Sequence, residues 1–370
     1  MNDFTAIASN PLKWVKEWKQ SYGKKVIGCM PMNIPEEIIA ASDMLPVALP
    51  GIDGRIVMAN TYLTTHVCHA VRCNFESQLN KDYDVLDGVV FADLCDQARR
   101  TSNIWEIYSH PAFTFHMRLP KRLDTRVATE FYQDELKRFR SAVEKFSGKK
   151  IDDSKIKASI KLYNEVRKLL SDLYKMRLEN PDSFAASELD SIVTSAMVML
   201  KEDFKNSLSS YLAGKKMVPE SRTKKPRLFV VGNPCEDMEP GLLNMIADVG
   251  GMIIDDYVYS GSMYLSGQVS DTGDPIAALA QAYIDSSPCP TKHDVKRYWG
   301  DYLVKRAKQD NADGVLLILP KYCELYAFDY PDVKQKLTAA GIPHLMLEVG
   351  HTGADAQLKT RLEAFIEMLR

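Results

Sequence analysis

The sequence predicts an α/β protein of two lobes, each built on a four-stranded parallel sheet, with a helical subdomain inserted between them. Three observations predict it. Short apolar runs alternate with amphipathic stretches in the first third of the chain and again in the last third, a pattern that calls for right-handed crossovers and parallel strands. The two series share their punctuation: "KVIGCMP" (25–31) is answered by "RLFVVGNP" (227–234), and "DGVVF" (87–91) by "DGVLLIL" (313–319). Between them, residues 122–222 contain no credible strand. A chain of 370 residues also exceeds what one hydrophobic core usually supports. The expected division is therefore residues 1–121, 122–222 and 223–370.

The elements follow in order. "KKVIGC" (24–29) is the first strand, and "IPEEIIAASDM" (34–44) is the helix behind it, with Ile38, Ile39 and Met44 at helical spacing. Pro35 stands where a first turn tolerates proline, and Glu36 and Glu37 complement the positive end of the helix dipole. "LPVAL" (45–49) is the next strand. A helix over residues 61–80 leads to "DGVVF", and another over 95–108 leads to the strand "FTFHMRL" (113–119). Three long amphipathic segments then follow: "ATEFYQDELKRFRSAVEKF", "DSKIKASIKLYNEVRKLLSDLYKMR" and "SELDSIVTSAMVMLKEDFKNSLSSYL". Their many Lys and Arg residues read as a solvated face; the alternative is a docking surface for an acidic partner or a phosphate-bearing ligand. In the last third, "EPGLLNMIADVG" (239–250) matches the first helix, with Pro240 in the part of Pro35. "GMIIDD" (251–256) then matches "LPVAL", and "HLMLEV" (344–349) matches "FTFHMRL". The likeness lies in order and punctuation rather than identity.

Composition removes several function classes. With 45% apolar and 26% charged residues the chain is an ordinary globular one, and a net charge of -2 gives no electrostatic reason to expect nucleic acid or an anionic membrane. The start lacks an apolar secretory region, and no stretch reaches the roughly 18 apolar residues of a membrane span, so a cytoplasmic location is expected. No GxGxxG follows a strand and no GxxxxGK[ST] occurs, which argues against nucleotide hydrolysis by this chain. GxSxG, HExxH and an EF-hand loop are also missing. His66 and His69 lie three apart on the presumed helix, without the carboxylate or third histidine a metal site would add.

The cysteines carry the chemistry. Seven of them (29, 68, 73, 95, 235, 289, 323) are spread over the chain without a CxxC. An odd count in a reducing compartment argues against a disulfide framework. Ligands of open parallel sheets bind beyond the carboxyl ends of the strands, and Cys95 and Cys323 fall at that edge in equivalent places of the two lobes. "THVCHAVRCNF" offers a third thiol. Cys68 and Cys73 are five apart, about 140° around a helix, so one faces the crevice and the other packs. Residue pattern alone leaves three readings open: ordinary buried cysteines, a reactive thiol, or a soft-metal site with an iron–sulfur cluster ahead of zinc.

A resemblance bears on that choice. "GKKVIGCMPMNIPEEIIAASDMLPVALPG" (23–51) resembles the opening of the activator-dependent 2-hydroxyacyl-CoA dehydratases and the related ATP-dependent benzoyl-CoA reductase subunits. "CHAVR" (68–72), "YDVLDGVVFADLCD" (83–96), "SGSMYL" (260–265), "PKYCELYAFDYP" (320–331), "GIPHLMLEV" (341–349) and "TRLEAFIEML" (360–369) resemble the same family in the same order. The resemblance implies two Rossmann-like lobes plus a helical domain, and a [4Fe-4S] cluster held in the cleft by three cysteines. The matching positions are Cys68, Cys95 and Cys323. Met263 stands where many relatives carry Arg, and Glu324 where Asp is more usual. Cys29 and Cys235 sit at matching sheet edges and read as packing, with a fourth ligand or enlarged cluster as the alternative. Arg72, one turn beyond Cys68, is either an offset to cluster charge or a surface or salt-bridged residue.

The family chemistry implied is reduction of a CoA thioester by a single low-potential electron, delivered under anaerobic conditions by a separate ATPase activator with its own iron–sulfur cluster. In the dehydratases a ketyl radical anion then expels the 2-hydroxyl; in the benzoyl-CoA reductases the aromatic ring is reduced. The implied partners are a homologous second subunit, that activator, and an acyl-CoA or aryl-CoA substrate. The preferred reading is a cluster-bearing dehydratase subunit. A benzoyl-CoA reductase subunit, a non-catalytic electron-relay subunit and a solute-binding module are the alternatives.

Overall fold

The computed structural model describes residues 3–49, 56–218, 225–232, 240–264, 266–350 and 356–370. Helices α1 (Phe4–Ser9) and α2 (Pro11–Tyr22) precede strand β1 (Val26–Met30), and then come α3 (Glu36–Ala40), β2 (Leu45–Ala48), α4 (His69–Leu79), β3 (Gly88–Ala92), α5 (Asp96–Ser109) and β4 (Thr114–Met117). Four helices follow: α6 (Arg126–Ser147), α7 (Asp153–Glu179), α8 (Glu188–Val198) and α9 (Lys201–Gly214). The second lobe holds β5 (Arg227–Val231), α10 (Pro240–Asp248), β6 (Met252–Tyr257), α11 (Pro275–Asp285) and α12 (Trp299–Gln309). It ends with β7 (Gly314–Pro320), α13 (Glu324–Ala339), β8 (His344–Val349) and α14 (Ala356–Leu369).

All strand pairs are parallel, and the two sheets have the same order, β2-β1-β3-β4 and β6-β5-β7-β8. The two-lobed α/β architecture is thus as the sequence predicts. The repeated Asp-Gly has a physical cause. Asp87 accepts from the Val26 N–H at 2.8 Å, and Asp313 accepts from the Arg227 N–H at 2.8 Å, so each aspartate anchors the start of its lobe's first strand. The glycine beside it faces a crowded neighbour: a Cβ on Gly88 would stand 2.6 Å from Phe113 Cβ, and one on Gly314 2.9 Å from Phe365 Cζ.

Two helices differ from expectation. The stretch expected as one helix over 61–80 is a 3-10 turn (Ala59–Thr61) followed by non-helical residues, and α4 begins only at His69. Thr64 and Thr65 are poor helix formers, and the Glu76 carboxylate holds the turn instead by accepting the N–H groups of Met58 at 3.0 Å and Ala59 at 2.7 Å. Helix α3 covers only Glu36–Ala40 of the expected 34–44, because the chain turns at Asp43, whose φ is 70°.

Helix α7, at 27 residues, is about 40 Å long and ties the lobes together. Near its middle Tyr163 and Arg167 hold Glu36 and Glu37 of α3, at 3.1 and 2.5 Å. Near its end Arg177, fully buried, pairs with Asp256 at 2.7 Å and donates to the Ile253 carbonyl at 2.9 Å. Most basic residues of this region are solvated as expected, for example Lys155, Lys161, Lys168 and Lys175. Among the described residues of the region, Arg177 and Lys201 are the buried exceptions. A second seam runs where Leu123 N–H donates to the His293 carbonyl at 2.9 Å and His293 N–H to that of Lys121 at 2.7 Å.

Candidate functional site

The three cysteines singled out by the sequence occupy one kind of position. Cys95 is the N-cap of α5, three residues beyond the end of β3, and Cys323 is the N-cap of α13, three residues beyond the end of β7. The two lobes therefore present their thiols at equivalent βα turns on the carboxyl edge, where open parallel sheets bind ligands. Cys68, expected within a helix, is the N-cap of α4. All three stand at the positive end of a helix dipole. Cys95 Sγ accepts the Ala98 N–H at 3.4 Å. Burial pushes the Cys95 thiol up, and the Ala98 and Gln97 N–H groups and the Lys121 charge oppose that push. Lys121 Nζ braces the same turn through the Leu94 carbonyl, at 2.7 Å.

One side chain joins the three turns. Gln97 Oε1 accepts the Cys68 N–H at 2.8 Å, while its Nε2 donates to the Tyr322 carbonyl at 3.1 Å and the His66 carbonyl at 3.3 Å. The His66 and Tyr322 rings meet edge to face across the same junction, with centroids 5.4 Å apart. The turns bearing Cys68, Cys95 and Cys323 are thus hydrogen-bonded to one another, although 225 residues separate Gln97 from Tyr322. Among the described residues, no group of three or more His, Cys, Asp or Glu side chains is gathered to hold a metal ion. His66 and His69 do not share a helix face, since His66 precedes α4.

A cavity of about 430 Å³ opens beside β1, lined by Cys29, Met32, Asn33, Glu36, Arg167 and Tyr264 among others. The charges of Glu36, Glu37 and Arg167 are compensated from within. Glu36 accepts the Tyr163 hydroxyl at 3.1 Å and that of Tyr264 at 3.0 Å, and pairs with buried Lys201 at 3.1 Å. Arg167, the one cation among the described lining residues, is bound to Glu37 at 2.5 Å. Met263, where the resemblance leads one to look for Arg, is buried against this space. Such a lining suits an uncharged group better than a phosphate. Sequence reading took Glu36 and Glu37 as dipole partners in the first turn of α3; they do stand there, but buried and ion-paired across the fold.

The model of the 2-hydroxyglutaryl-CoA dehydratase D-component family matches residues 31–369. This chain belongs to that family. Among curated members, the (R)-phenyllactyl-CoA dehydratase beta subunit of Clostridium sporogenes is 26% identical over 369 residues, covering 100% of this chain and 98% of the relative. A benzoyl-CoA reductase subunit of Thauera aromatica is 28% identical, over 96% of this chain and 91% of the relative. The lactoyl-CoA dehydratase beta subunit of Anaerotignum propionicum is also 28% identical, over 98% and 96%. The resemblance seen in the sequence is therefore real, and this member of the dehydratase D-component family is an enzyme subunit of these kinds.

Other residues weighed in the sequence fall outside the junction of the three turns. Cys73 is buried inside α4, as is Cys68 at its start. Cys29 is buried in β1, and burial beside the Glu36 charge pushes its thiol well up. Cys289 is buried with its Sγ 3.0 Å from Thr291 Oγ1. Cys235 lies outside the described residues. Arg72 is buried rather than exposed, with its guanidinium donating to Asn60 Oδ1. Gln97 was missed by sequence reading; its one signal is a long amide in the first turn after Cys95. No helix among the described residues is long and apolar enough to cross a membrane.

Proposed function

We propose that this chain is the cluster-bearing subunit of an activator-dependent 2-hydroxyacyl-CoA dehydratase, with Cys68, Cys95 and Cys323 as the ligands of a [4Fe-4S] cluster. The observation that carries the reading is the convergence of three cysteine-capped helix starts on Gln97. The donor set suits the group, because thiolates are the ligands of such clusters and helix N-termini offset their negative charge. A cubane bears its thiolates on separate irons, so its ligands stand wider apart than those of one ion. When bound, the cluster supplies single electrons of low potential to thioester reduction. The chain's own residues orient the sulfurs: Ala98 N–H holds Cys95, Lys121 braces its turn, and Gln97 links the lobes.

The named relatives are themselves parts of larger enzymes, two of them beta subunits, which supports assembly with a homologous second subunit. The reading also includes a separate ATPase activator with its own iron–sulfur cluster, an acyl-CoA thioester and a cytoplasmic location. The cavity, whose Arg167 is already bound to Glu37, supports a neutral acyl or aryl group as its occupant. The 28% identity to the Thauera aromatica protein favours a second reading, a subunit of an ATP-dependent aryl-CoA reductase. A non-catalytic electron relay is the third.

Anaerobic purification tests the core of the proposal. Wild type should be brown with about four irons per chain, and Cys68→Ala, Cys95→Ala and Cys323→Ala should each lose iron while Cys73→Ala keeps it. Full iron in Cys95→Ala would falsify the ligand assignment. Turnover with activator, ATP and either 2-hydroxyacyl-CoA or aryl-CoA, with and without the partner subunit, separates the readings.

A further inference from the structure

We propose that Gln97 is a positioning residue that holds the three cysteine-bearing turns, and with them the edges of both lobes, in one arrangement. The inference rests on the assignment of Cys68, Cys95 and Cys323 as cluster ligands. The geometry carries it. A primary amide offers one acceptor oxygen and two N–H donors, and Gln97 uses all three, on Cys68 N–H at 2.8 Å, Tyr322 O at 3.1 Å and His66 O at 3.3 Å. The orientation of the amide follows from its partners. A backbone N–H only donates and a carbonyl only accepts, so Oε1 must face Cys68 and Nε2 the two carbonyls.

No other side chain of similar length reproduces the set. Glutamate keeps the acceptor for Cys68 but brings a charged oxygen against two carbonyls. Methionine fills the same length and makes none of the three bonds. Gln97 is only half-buried, so both replacements fit the fold without a cavity. Loss of the amide leaves Cys95 on α5 and frees the other two turns to move relative to it. The group held between them is then retained less well, as with other partners that orient metal ligands from behind.

The test uses the full chain purified anaerobically as wild type, Gln97→Met, Gln97→Glu and, as a control on α6, Gln133→Glu. Two quantities are read: the rate at which iron passes to a colorimetric chelator, and the electron paramagnetic resonance signal of the reduced protein. Circular dichroism and the thermal midpoint establish that each variant is folded. Both Gln97 variants should lose iron about 10–100-fold faster than wild type and show an altered resonance signal, with the midpoint little changed; Gln133→Glu should match wild type. Wild-type retention and an unchanged signal in both Gln97 variants overturn the positioning role alone. A wild-type chain that takes up no iron overturns the ligand assignment beneath it, and the role of Gln97 with it.

Discussion

Arg177→Met is the sharpest test of how the helical insert holds the second lobe. Arg177 is 1% exposed and lies near the end of α7. Its Nη1 stands 2.7 Å from Asp256 Oδ2, and its Nε donates to the Ile253 carbonyl at 2.9 Å. Methionine replaces much of the aliphatic length and removes both bonds. Asp256 would keep the Tyr174 hydroxyl at 2.5 Å and the Ser262 N–H at 3.2 Å, but its charge would have no counter-ion at this place. Breaking one side of a buried ion pair costs about 3–5 kcal/mol, against a total stability of about 5–15 kcal/mol for a typical protein. The loss should also depend on pH. A buried carboxylate stripped of its counter-charge is tolerated by taking up a proton, so the gap between wild type and variant should be smaller at pH 5 than at pH 8. Urea unfolding at both values, followed by circular dichroism, measures this, and Arg177→Met/Asp256→Asn should recover part of the loss. A cost below about 1 kcal/mol at pH 8, typical of an exposed pair, would refute the view of α7 as a strut between the lobes.

Two further outcomes follow from the same packing. Asp190, pushed up to about 7 chiefly by burial, accepts the Ser260 hydroxyl at 2.6 Å. Its folded value lies above its ordinary 3.8, so the folded state holds the extra proton, and its contribution is full below about 4 and lost as the pH rises through about 7. Asp190→Asn should therefore flatten the decline of the urea midpoint between pH 5 and 8, and an unchanged slope would count against it. Gly88→Ala places a methyl 2.6 Å from Phe113 Cβ and 2.7 Å from its carbonyl oxygen. Neither atom belongs to a flexible tip, so thermal unfolding should show a loss of about 1–3 kcal/mol.

Much of the architecture was legible because it depends on local pattern. The alternation of apolar runs with helices fixes parallel strands, and the repeated Asp-Gly marks the third strand of each lobe through an aspartate that must reach the first. The positions of Cys95 and Cys323 were legible for the same reason, since a residue three places past a strand end lies on the carboxyl edge. The segment around Cys68 misled because an apolar spacing continued through Thr64 and Thr65, while a distant carboxylate, Glu76, decided where the helix begins.

The sequence by itself determined the fold class, the two-lobe repeat, the insert and the three cysteines worth watching, because periodicity and turn chemistry act over a few residues. The tertiary structure alone decided that Gln97 joins turns 225 residues apart, that Glu36 and Lys201 form a buried pair, and that Arg177 reaches Asp256. These contacts form between segments far apart in the chain. Nothing in local spacing specifies which buried charge meets which, so only the packed chain fixes the pairing.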